Sequence, residues 1–172
     1  MVMKNNVLKP GISVILSLSL LILVILIGGC AGDTTLSPTL KKYTQDGVSF
    51  ECPDDWGMGS SDSPSTVAAL VSPTGAYFVV TKDAVPSGFE LGTSHDNLVN
   101  GMEPSQIVST GNLTMAEVSA YETVFKSNDS QYWIVSLEKN EVWYNLFFSA
   151  PADLFDSARG EFNSIINSFE VQ

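Results

Sequence analysis

Two adjacent apolar segments, residues 131–138 and 142–149, constrain the fold more than any other part of the sequence. The second segment would be apolar on both faces of a strand. One face carries Val142, Tyr144, Leu146 and Phe148, and the other carries Trp143 and Phe147. A strand of this kind lies in the centre of a sheet that is covered on both sides. The polar triplet Lys139-Asn140-Glu141 predicts that the two segments pair as a hairpin.

Shorter signals predict the remaining strands. Asp46-Gly47 is a strong turn signal between two short strands, and residues 57–65 read as a polar loop. Ser127-Asn128-Asp129-Ser130 predicts a turn directly before the central hairpin. Further strands are predicted at residues 67–71, at 76–81, and within 106–125 as either one strand or two with a break at 115–117.

The C-terminal segment predicts a long amphipathic helix. Pro151 suits the first helical turn, where its missing N–H costs nothing, and Asp153 and Asp156 suit the positive end of the helix. Apolar residues then recur at helical spacing: Leu154, Phe155, Ala158, Phe162, Ile165, Ile166 and Phe169. This stripe predicts that the helix packs on the sheet.

A short helix is predicted in the middle of the chain, with Thr93 or Ser94 as its N-cap. Its inner face would consist of Leu98, Val99 and Met102. The predicted fold class is therefore α+β, with a central antiparallel sheet, a long C-terminal amphipathic helix and a short mid-chain helix.

The N-terminus reads as an export signal. Lys4 and Lys9 precede an uncharged apolar run, residues 11–27, which ends in Gly28-Gly29-Cys30. A Cys after an aliphatic and two small residues resembles the lipobox of prokaryotic lipoproteins. That resemblance implies lipidation of Cys30 and cleavage before it, and a two-chain lipid anchors a protein firmly. The alternative is an uncleaved transmembrane anchor, because about 20 apolar residues span a bilayer.

Both alternatives place the rest of the chain outside the cytoplasm and tethered to the cell membrane. The predicted organisation is a signal peptide at 1–29, a lipidated Cys and flexible tether at 30–40, and a globular domain at 41–172. Removal of the signal takes away Lys4 and Lys9 and no acid, so the charge changes from -11 to -13.

Several residues of the globular part resemble PsbP-like domains, which are relatives of an extrinsic subunit of the photosynthetic oxygen-evolving complex. The similar motifs are Tyr43 with Val48-Ser49-Phe50, then Pro53-Asp54-Asp55-Trp56, and a closing run over residues 162–169. The resemblance covers residues 41–172 and implies a central antiparallel sheet between helices. It also implies a non-enzymatic protein that docks on protein complexes, and in some members binds metal ions. No ligand or docking residue is transferred from that family.

Composition excludes several classes of function. An acidic chain with 8 Lys+Arg against 19 Asp+Glu lacks the basic cluster that nucleic-acid binding needs. Two Cys and one His cannot supply the four ligands of a structural zinc site within one chain. Cys52 follows the apolar alternation of its strand, so we expect a buried small hydrophobe rather than a reactive thiol.

His95 is the only conventional general base, and it would serve a hydrolase together with Cys52 or a Ser. Its segment, residues 92–97, looks like a solvated helix start, and the chain has no nucleophile elbow and no phosphate-binding glycine loop with Lys. The expectation is therefore that the protein is not an enzyme, with a hydrolase using His95 as the third hypothesis.

A divalent cation is the one cofactor that the sequence suggests, although none is expected by default. Asp54, Asp55 and Asp62 flank the polar loop, and hard cations take carboxylate and carbonyl oxygens. Asp96 and Glu103 near His95 would form a second, softer site. Acidic side chains on loops are more often simply solvated, and that is the competing interpretation.

Two other surface features follow from the sequence. Asn112 and Asn128 lie in N-glycosylation patterns, and Asn128, in a predicted turn, is the better candidate. Tyr132, Trp143 and Phe147 would form an exposed patch if no helix covered their face of the sheet.

The function expected from these observations is a membrane-tethered, extracytoplasmic lipoprotein that acts as a non-catalytic accessory module and docks on a protein complex of the envelope. The alternative is a lipoprotein that binds divalent cations or envelope carbohydrate at the acidic loop after Trp56.

Overall fold

The computed structural model describes residues 39–172, in which two antiparallel sheets and two helices form an α+β fold. The first sheet has three strands in the order β1-β2-β10, and the second has seven in the order β3-β4-β5-β9-β8-β7-β6. The strands are β1 (Leu40–Gln45), β2 (Val48–Pro53), β3 (Gly57–Met58), β4 (Thr66–Val71), β5 (Tyr77–Ala84), β6 (Ile107–Met115), β7 (Val118–Ser127), β8 (Ser130–Lys139), β9 (Val142–Pro151) and β10 (Glu170–Val171). The helices are α1 (Leu91–Asn100) and α2 (Phe155–Ser168). The predicted fold class is confirmed.

The central hairpin is β8–β9, as the apolar segments predict. Its turn residues Asn140 and Glu141 both have positive φ values, 56° and 60°. The predicted break at 115–117 is also a tight turn, in which Ala116 and Glu117 have φ values of 49° and 66°. Two central residues with positive φ are characteristic of type I′ turns, whose twist matches that of the strands they join.

The core lies between the seven-stranded sheet, α2 and the three-stranded sheet. We call the face of the seven-stranded sheet that carries Phe148 the inner face, and the face that carries Phe147 the outer face. Phe162 of α2 lies over the inner face, with its ring 5.0 Å from that of Phe148. Phe50 of β2 stacks against Phe169 at 6.4 Å and meets Phe78 at 5.2 Å, which joins the two sheets.

α1 lies on the outer face, over β7 and β8. The His95 ring is 5.0 Å from the Tyr121 ring, and a Cβ on Gly92 would lie only 2.8 Å from the Tyr121 hydroxyl. The helix therefore sits close to the sheet at its first turn, and a glycine there permits the approach.

Two local predictions are wrong. Pro151 ends β9 instead of opening α2, which begins four residues later at Phe155. Thr93 and Ser94 both lie inside α1, because Glu90 is the N-cap and makes no side-chain capping bond. Leu98 faces the sheet as predicted but remains 37% exposed, since a short helix on one side of a wide sheet buries none of its residues fully.

The three-stranded sheet was not predicted as a separate unit. β10 has only two residues, and it pairs with β2, more than 100 positions earlier in the chain, through Glu170–Ser49 and Val171–Val48. No local sequence pattern predicts the pairing of β10 with β2. Within residues 39–172, neither helix combines the length and the apolar character that crossing a bilayer requires. The signal peptide, Cys30 and most of the tether lie outside the described residues.

Candidate binding groove on the outer face of the sheet

The outer face of the seven-stranded sheet is only partly covered, unlike the inner face. Cross-strand pairing places Val79, Phe147, Ile134 and Thr123 in one row across β5, β9, β8 and β7. α1 covers the β7–β8 part of this row, and Ile134 is 7% exposed. Phe147 lies at the edge of that cover and is 41% exposed. Of the expected patch, Phe147 is exposed, whereas Tyr132 and Trp143 are half-buried, with the Trp143 ring 4.8 Å from that of Phe89.

An open groove runs along β5 and β9 between α1 and the loop that follows β3. We call it the outer groove; its volume is about 530 Å³, which falls within the usual range of about 300–1,000 Å³ for ligand sites. Its walls are formed by Ser61, Ser63, Tyr77, Val79, Thr81, Asp83, Tyr132, Trp143, Asn145, Phe147 and Ser149. The surface is mainly aromatic, with scattered hydroxyl and amide groups.

The loop after β3 forms one wall of the outer groove and is held in place by Tyr77. The Tyr77 hydroxyl donates to the carbonyl oxygen of Ser60. Gly59 passes so close to the same ring that a Cβ there would lie 2.7 Å from it. This wall therefore depends on a tyrosine from the floor of the sheet and on a glycine in the loop.

The groove continues beneath α1 as a smaller pocket of about 200 Å³, the α1 pocket, which shares Trp143, Asn145 and Phe147 with it. Since liquid water occupies about 30 Å³ per molecule, the α1 pocket has room for about seven non-hydrogen atoms, or one apolar side chain. Ser136 Oγ donates to Asn145 Oδ1 at 2.6 Å, whereas the indole Nε1 of Trp143, which also lines the pocket, is buried without a hydrogen-bond partner.

His95 lines the α1 pocket and is not part of a solvated helix start, so that prediction is wrong. Its side chain is 10% exposed, with Nε2 lying 2.9 Å from Thr123 Oγ1 and 3.3 Å from the carbonyl oxygen of Glu122. Asp96 Oδ1 is 3.9 Å from Nδ1, at the limit of an ion pair, and is itself exposed. The imidazole therefore packs α1 onto β7.

The acidic residues proposed as metal ligands lie at the end of β2 and in the loop after β3. Residues 39–172 contain no group of three or more His, Cys, Asp or Glu side chains placed to hold a metal ion, so Asp54, Asp55 and Asp62 do not converge there. The nearby carbonyl oxygens of Asp54 and Trp56 accept hydrogen bonds from Lys41 Nζ at 3.0 and 2.5 Å. Cation binding at this loop stays a prediction.

The remaining residues singled out from the sequence occupy the positions that their patterns predict. Cys52 is free and fully buried, and burial raises the pKa of its thiol. Asn112 is exposed on β6 and Asn128 is exposed in the β7–β8 turn, where its φ is 54°. Their glycosylation stays a prediction.

Comparison with known proteins identifies the fold. No family profile matches the chain, and no curated protein of similar sequence was found. Solved structures do match: that of cyanobacterial PsbP (CyanoP) from Synechocystis sp. PCC 6803 has a TM-score of 0.56 and 15% identity, over 85% of this chain and 99% of that one. LpqN of Mycobacterium tuberculosis, described as involved in cell envelope biogenesis, has a TM-score of 0.53 and 13% identity, over 78% and 91%.

A third match is the Ran-binding protein Mog1p of Saccharomyces cerevisiae, with a TM-score of 0.54 and 8% identity over 78% of this chain and 96% of that one. The chain therefore has the fold shared by PsbP-like domains and Mog1, and the resemblance seen in the sequence is confirmed at that level. Since fold does not determine function, the site has to be argued from its own residues.

Proposed function

We propose that this chain is a membrane-tethered, extracytoplasmic lipoprotein that acts as a non-catalytic accessory module and docks on a protein complex of the envelope through the outer groove. The observation that carries the proposal is the groove itself, an aromatic concavity in the middle of a sheet face that α1 leaves open. Phe147 is 41% exposed there although it belongs to the most apolar strand of the domain.

The chemistry of the groove favours a protein partner. Tyr and Trp are enriched where interfaces are most buried, because they supply large contact areas and a polar group at one end. Tyr77, Tyr132 and Trp143 surround Phe147, and Asn145 and the serines of the loop offer hydrogen bonds around it. The α1 pocket next to Phe147 has the volume of one anchoring side chain, which is the usual arrangement of an interface hot spot.

The surroundings of His95 support a non-catalytic module. A general base must reach the proton it removes, at about 2.6–3.2 Å, and must be oriented by a third group. Nε2 of His95 is engaged with Thr123 Oγ1, and the carboxylate beside Nδ1 is that of the exposed Asp96. Cys52, the alternative nucleophile, lies on β2 and is fully buried in the core.

The envelope location is supported by the N-terminal sequence and by the fold. The run of apolar residues ending at Cys30 has the features of a lipoprotein signal. One structure with the same fold is that of a protein involved in cell envelope biogenesis. Because the domain is acidic, we expect the partner to present a neutral or basic surface to it.

Site-specific crosslinking in cells tests the docking proposal. A photoreactive phenylalanine analogue at position 147 should crosslink to one reproducible envelope protein. The matched control is position 154, where Leu154 is 38% exposed at the start of α2. Equal, nonspecific products from both positions would contradict docking through the outer groove.

Introducing a charge into the groove tests the same proposal by affinity. Phe147→Asp should weaken binding to the crosslinked partner by about 30-fold, the equivalent of a loss of about 2 kcal/mol typical of a hot-spot residue. Leu154→Asp is the control, because Leu154 is 38% exposed and lies outside the groove. Unchanged affinity in Phe147→Asp, with folding intact by circular dichroism, would contradict the assignment of the groove.

Envelope carbohydrate is the second candidate, because aromatic rings next to Asn145, Ser61 and Asp83 also suit a sugar. Glycan-array binding that is lost in Tyr132→Ala and Trp143→Ala, without a protein crosslink at position 147, would favour it. Thermal scans with calcium, manganese and magnesium test the cation alternative, since a ligand at 100 times its Kd adds about 2.7 kcal/mol to the stability.

A further inference from the structure

The ends of the two sheets differ in how well they are protected from pairing with another chain. An edge strand exposes unpaired N–H and C=O groups, and proteins usually protect it by short length, Lys, Pro, a β-bulge or a covering element. β3 and β10 have two residues each, and β1 carries Lys41 and Lys42. Three of the four edges therefore have a recognised protection.

β6 is the fourth edge, and its protection is limited to one irregularity near its start. It is nine residues long, ends the seven-stranded sheet, and contains neither a charge nor a proline, as its sequence IVSTGNLTM shows. Val108 on this strand is 52% exposed, although apolar side chains of that size are mostly buried. Only an irregularity between Ile107 and Ser109 interrupts the strand, near one end.

We infer that β6 is an interaction surface for a second copy of this chain, and that the two β6 strands pair antiparallel about a two-fold axis through Gly111. An axis perpendicular to the sheet keeps outer residues with outer residues, so paired positions must have the same parity. Pairing along the full strand then places Thr110 opposite Asn112 of the second copy, and Ser109 opposite Leu113.

The composition of β6 fits this self-pairing. Thr110 and Asn112 belong to the outer face, where they pair with Thr123 and Tyr121 of β7, so each hydroxyl would meet an amide of the other copy. Cross-strand pairs of this kind contribute about 0.2–1 kcal/mol each, and like charges directly opposite would oppose pairing. The absence of charge along β6 is notable in a chain of net charge -11.

The inference rests on the proposed membrane tether, because confinement at the membrane makes such a small contact sufficient. The pairing of one edge strand buries much less accessible surface area than a stable interface between soluble proteins, which buries roughly 1,200–2,000 Å². Two domains tethered to the same membrane meet at a high effective concentration, which compensates for weak pairwise affinity. The inference concerns a different surface from the outer groove and does not depend on a groove partner.

Cysteine crosslinking of the full chain in its own membranes tests the inference. In the proposed register the two copies of Gly111→Cys face each other, with Cβ atoms about 4.5–5.5 Å apart. The two copies of Thr114→Cys would lie six positions apart, or about 20 Å at 3.4 Å per residue. Cys52 is buried and does not react, and the unsubstituted chain measures any background from Cys30.

We expect a disulfide-linked dimer from Gly111→Cys at a yield at least fivefold above that from Thr114→Cys. A Cβ at Gly111 would lie 3.2 Å from Glu122 Oε1, so a second design covers the case in which that variant folds poorly. Differently tagged Thr110→Cys and Asn112→Cys chains, expressed together, should then form the mixed dimer.

A charge on the edge provides the complementary test. Thr110→Lys, added to the Gly111→Cys chain, should reduce the dimer at least fivefold. Ser119→Lys is the control, because it adds the same charge at an exposed position of β7, one strand away from the edge. No dimer from either cysteine design, or equal yields at positions 111 and 114, would overturn the inference.

Discussion

At the residue scale, one hydrogen bond joins the segment after β2 to α2. Trp56 is 1% exposed, and its Nε1 donates to Glu161 Oε2 at 3.2 Å, across 105 positions of the chain. The Trp56 ring also packs against Phe162, with centroids 6.2 Å apart. Glu161 is therefore a polar residue in the apolar contact between α2 and the rest of the domain.

Removing the acceptor at position 161 should destabilise the domain. Glu161→Leu leaves the Trp56 N–H without its partner, which costs about 1–3 kcal/mol for a buried donor. Glu161→Gln keeps an oxygen acceptor and should retain most of the stability at neutral pH. Urea denaturation of both variants measures the difference, and equal stability of the two would contradict this role of the hydrogen bond.

The same pair predicts a pH dependence of stability. Burial raises the pKa of Glu161 above its usual 4.5, the hydrogen bond from Trp56 lowers it, and the charge of Asp55 raises it. Because the pKa is higher in the folded state than in the unfolded state, protonation of Glu161 stabilises the fold. This stabilisation is fully present below pH 4.5 and is lost as the pH rises through the raised pKa. Wild type should therefore lose stability relative to Glu161→Gln as the pH increases from 4.5 to neutrality, whereas parallel curves would contradict the shift.

At the element scale, the apolar stripe of α2 secures the inner layer. Phe162 is fully buried, and its ring lies 5.0 Å from Phe148 and 5.6 Å from Phe155. Phe162→Ala should lower the free energy of unfolding by about 3–5 kcal/mol, because it leaves a cavity in the core. Asn163→Ala, on the exposed side of the same turn, should change it by less than about 0.5 kcal/mol. Chemical denaturation compares the two variants.

The β6–β7 turn offers a stabilising substitution. Glu117 has a φ of 66°, a conformation that costs a residue with a Cβ about 1–2 kcal/mol. Glycine loses about 0.5–1 kcal/mol more conformational entropy on folding, so Glu117→Gly should be a net gain of a few tenths of a kcal/mol or more. Glu117→Ala removes the same carboxylate, which lies 3.6 Å from Lys139 Nζ, and is the control for charge. A Tm of Glu117→Gly at or below that of Glu117→Ala would refute the argument.

At the scale of the whole molecule, the proposed attachment to the membrane would depend on residues before the described domain. If Cys30 is lipidated, Cys30→Ser should move the protein from the detergent phase to the aqueous phase after signal cleavage, or leave an uncleaved precursor. An uncleaved transmembrane anchor would keep the variant and the wild type in the membrane at the same mass. Phase partition combined with intact-mass measurement separates the two forms of attachment.

The elements of the fold were predictable because their signals are local. Alternation and turn residues place β8–β9 and the Asp46–Gly47 hairpin, and the 3.6-residue repeat around Phe162 places α2. The predicted boundaries of elements were wrong where two local sequence rules conflicted. Pro151 suits a helix start, but it also suits the last position of β9, because β5 pairs with β9 only as far as Ser149 and Pro151 therefore has a strand neighbour on one side only.

The site was predictable only in outline. Trp143 and Phe147 were recognised as a patch because they lie opposite Tyr144 and Phe148 on a strand with two apolar faces. The loop around Ser61, which forms one wall of the outer groove, and α1, which covers the adjoining α1 pocket, are far away in sequence. His95 was misjudged for the same reason, since its polar neighbours suggest solvent while Thr123, 28 positions later, holds the ring against the sheet.

The sequence by itself determined the strands of the central hairpin, the amphipathic α2, the acidic character of the domain and its expected attachment to a membrane. These properties follow from periodicity and composition within a few turns or strands of the chain. Only the tertiary structure decided which sheet face stays open, where α1 lies, that β10 adds to a separate sheet, and that β6 is an edge of the larger sheet. Each of those features depends on contacts between segments that are far apart in the sequence. A short-range sequence pattern does not predict how two such segments lie relative to each other.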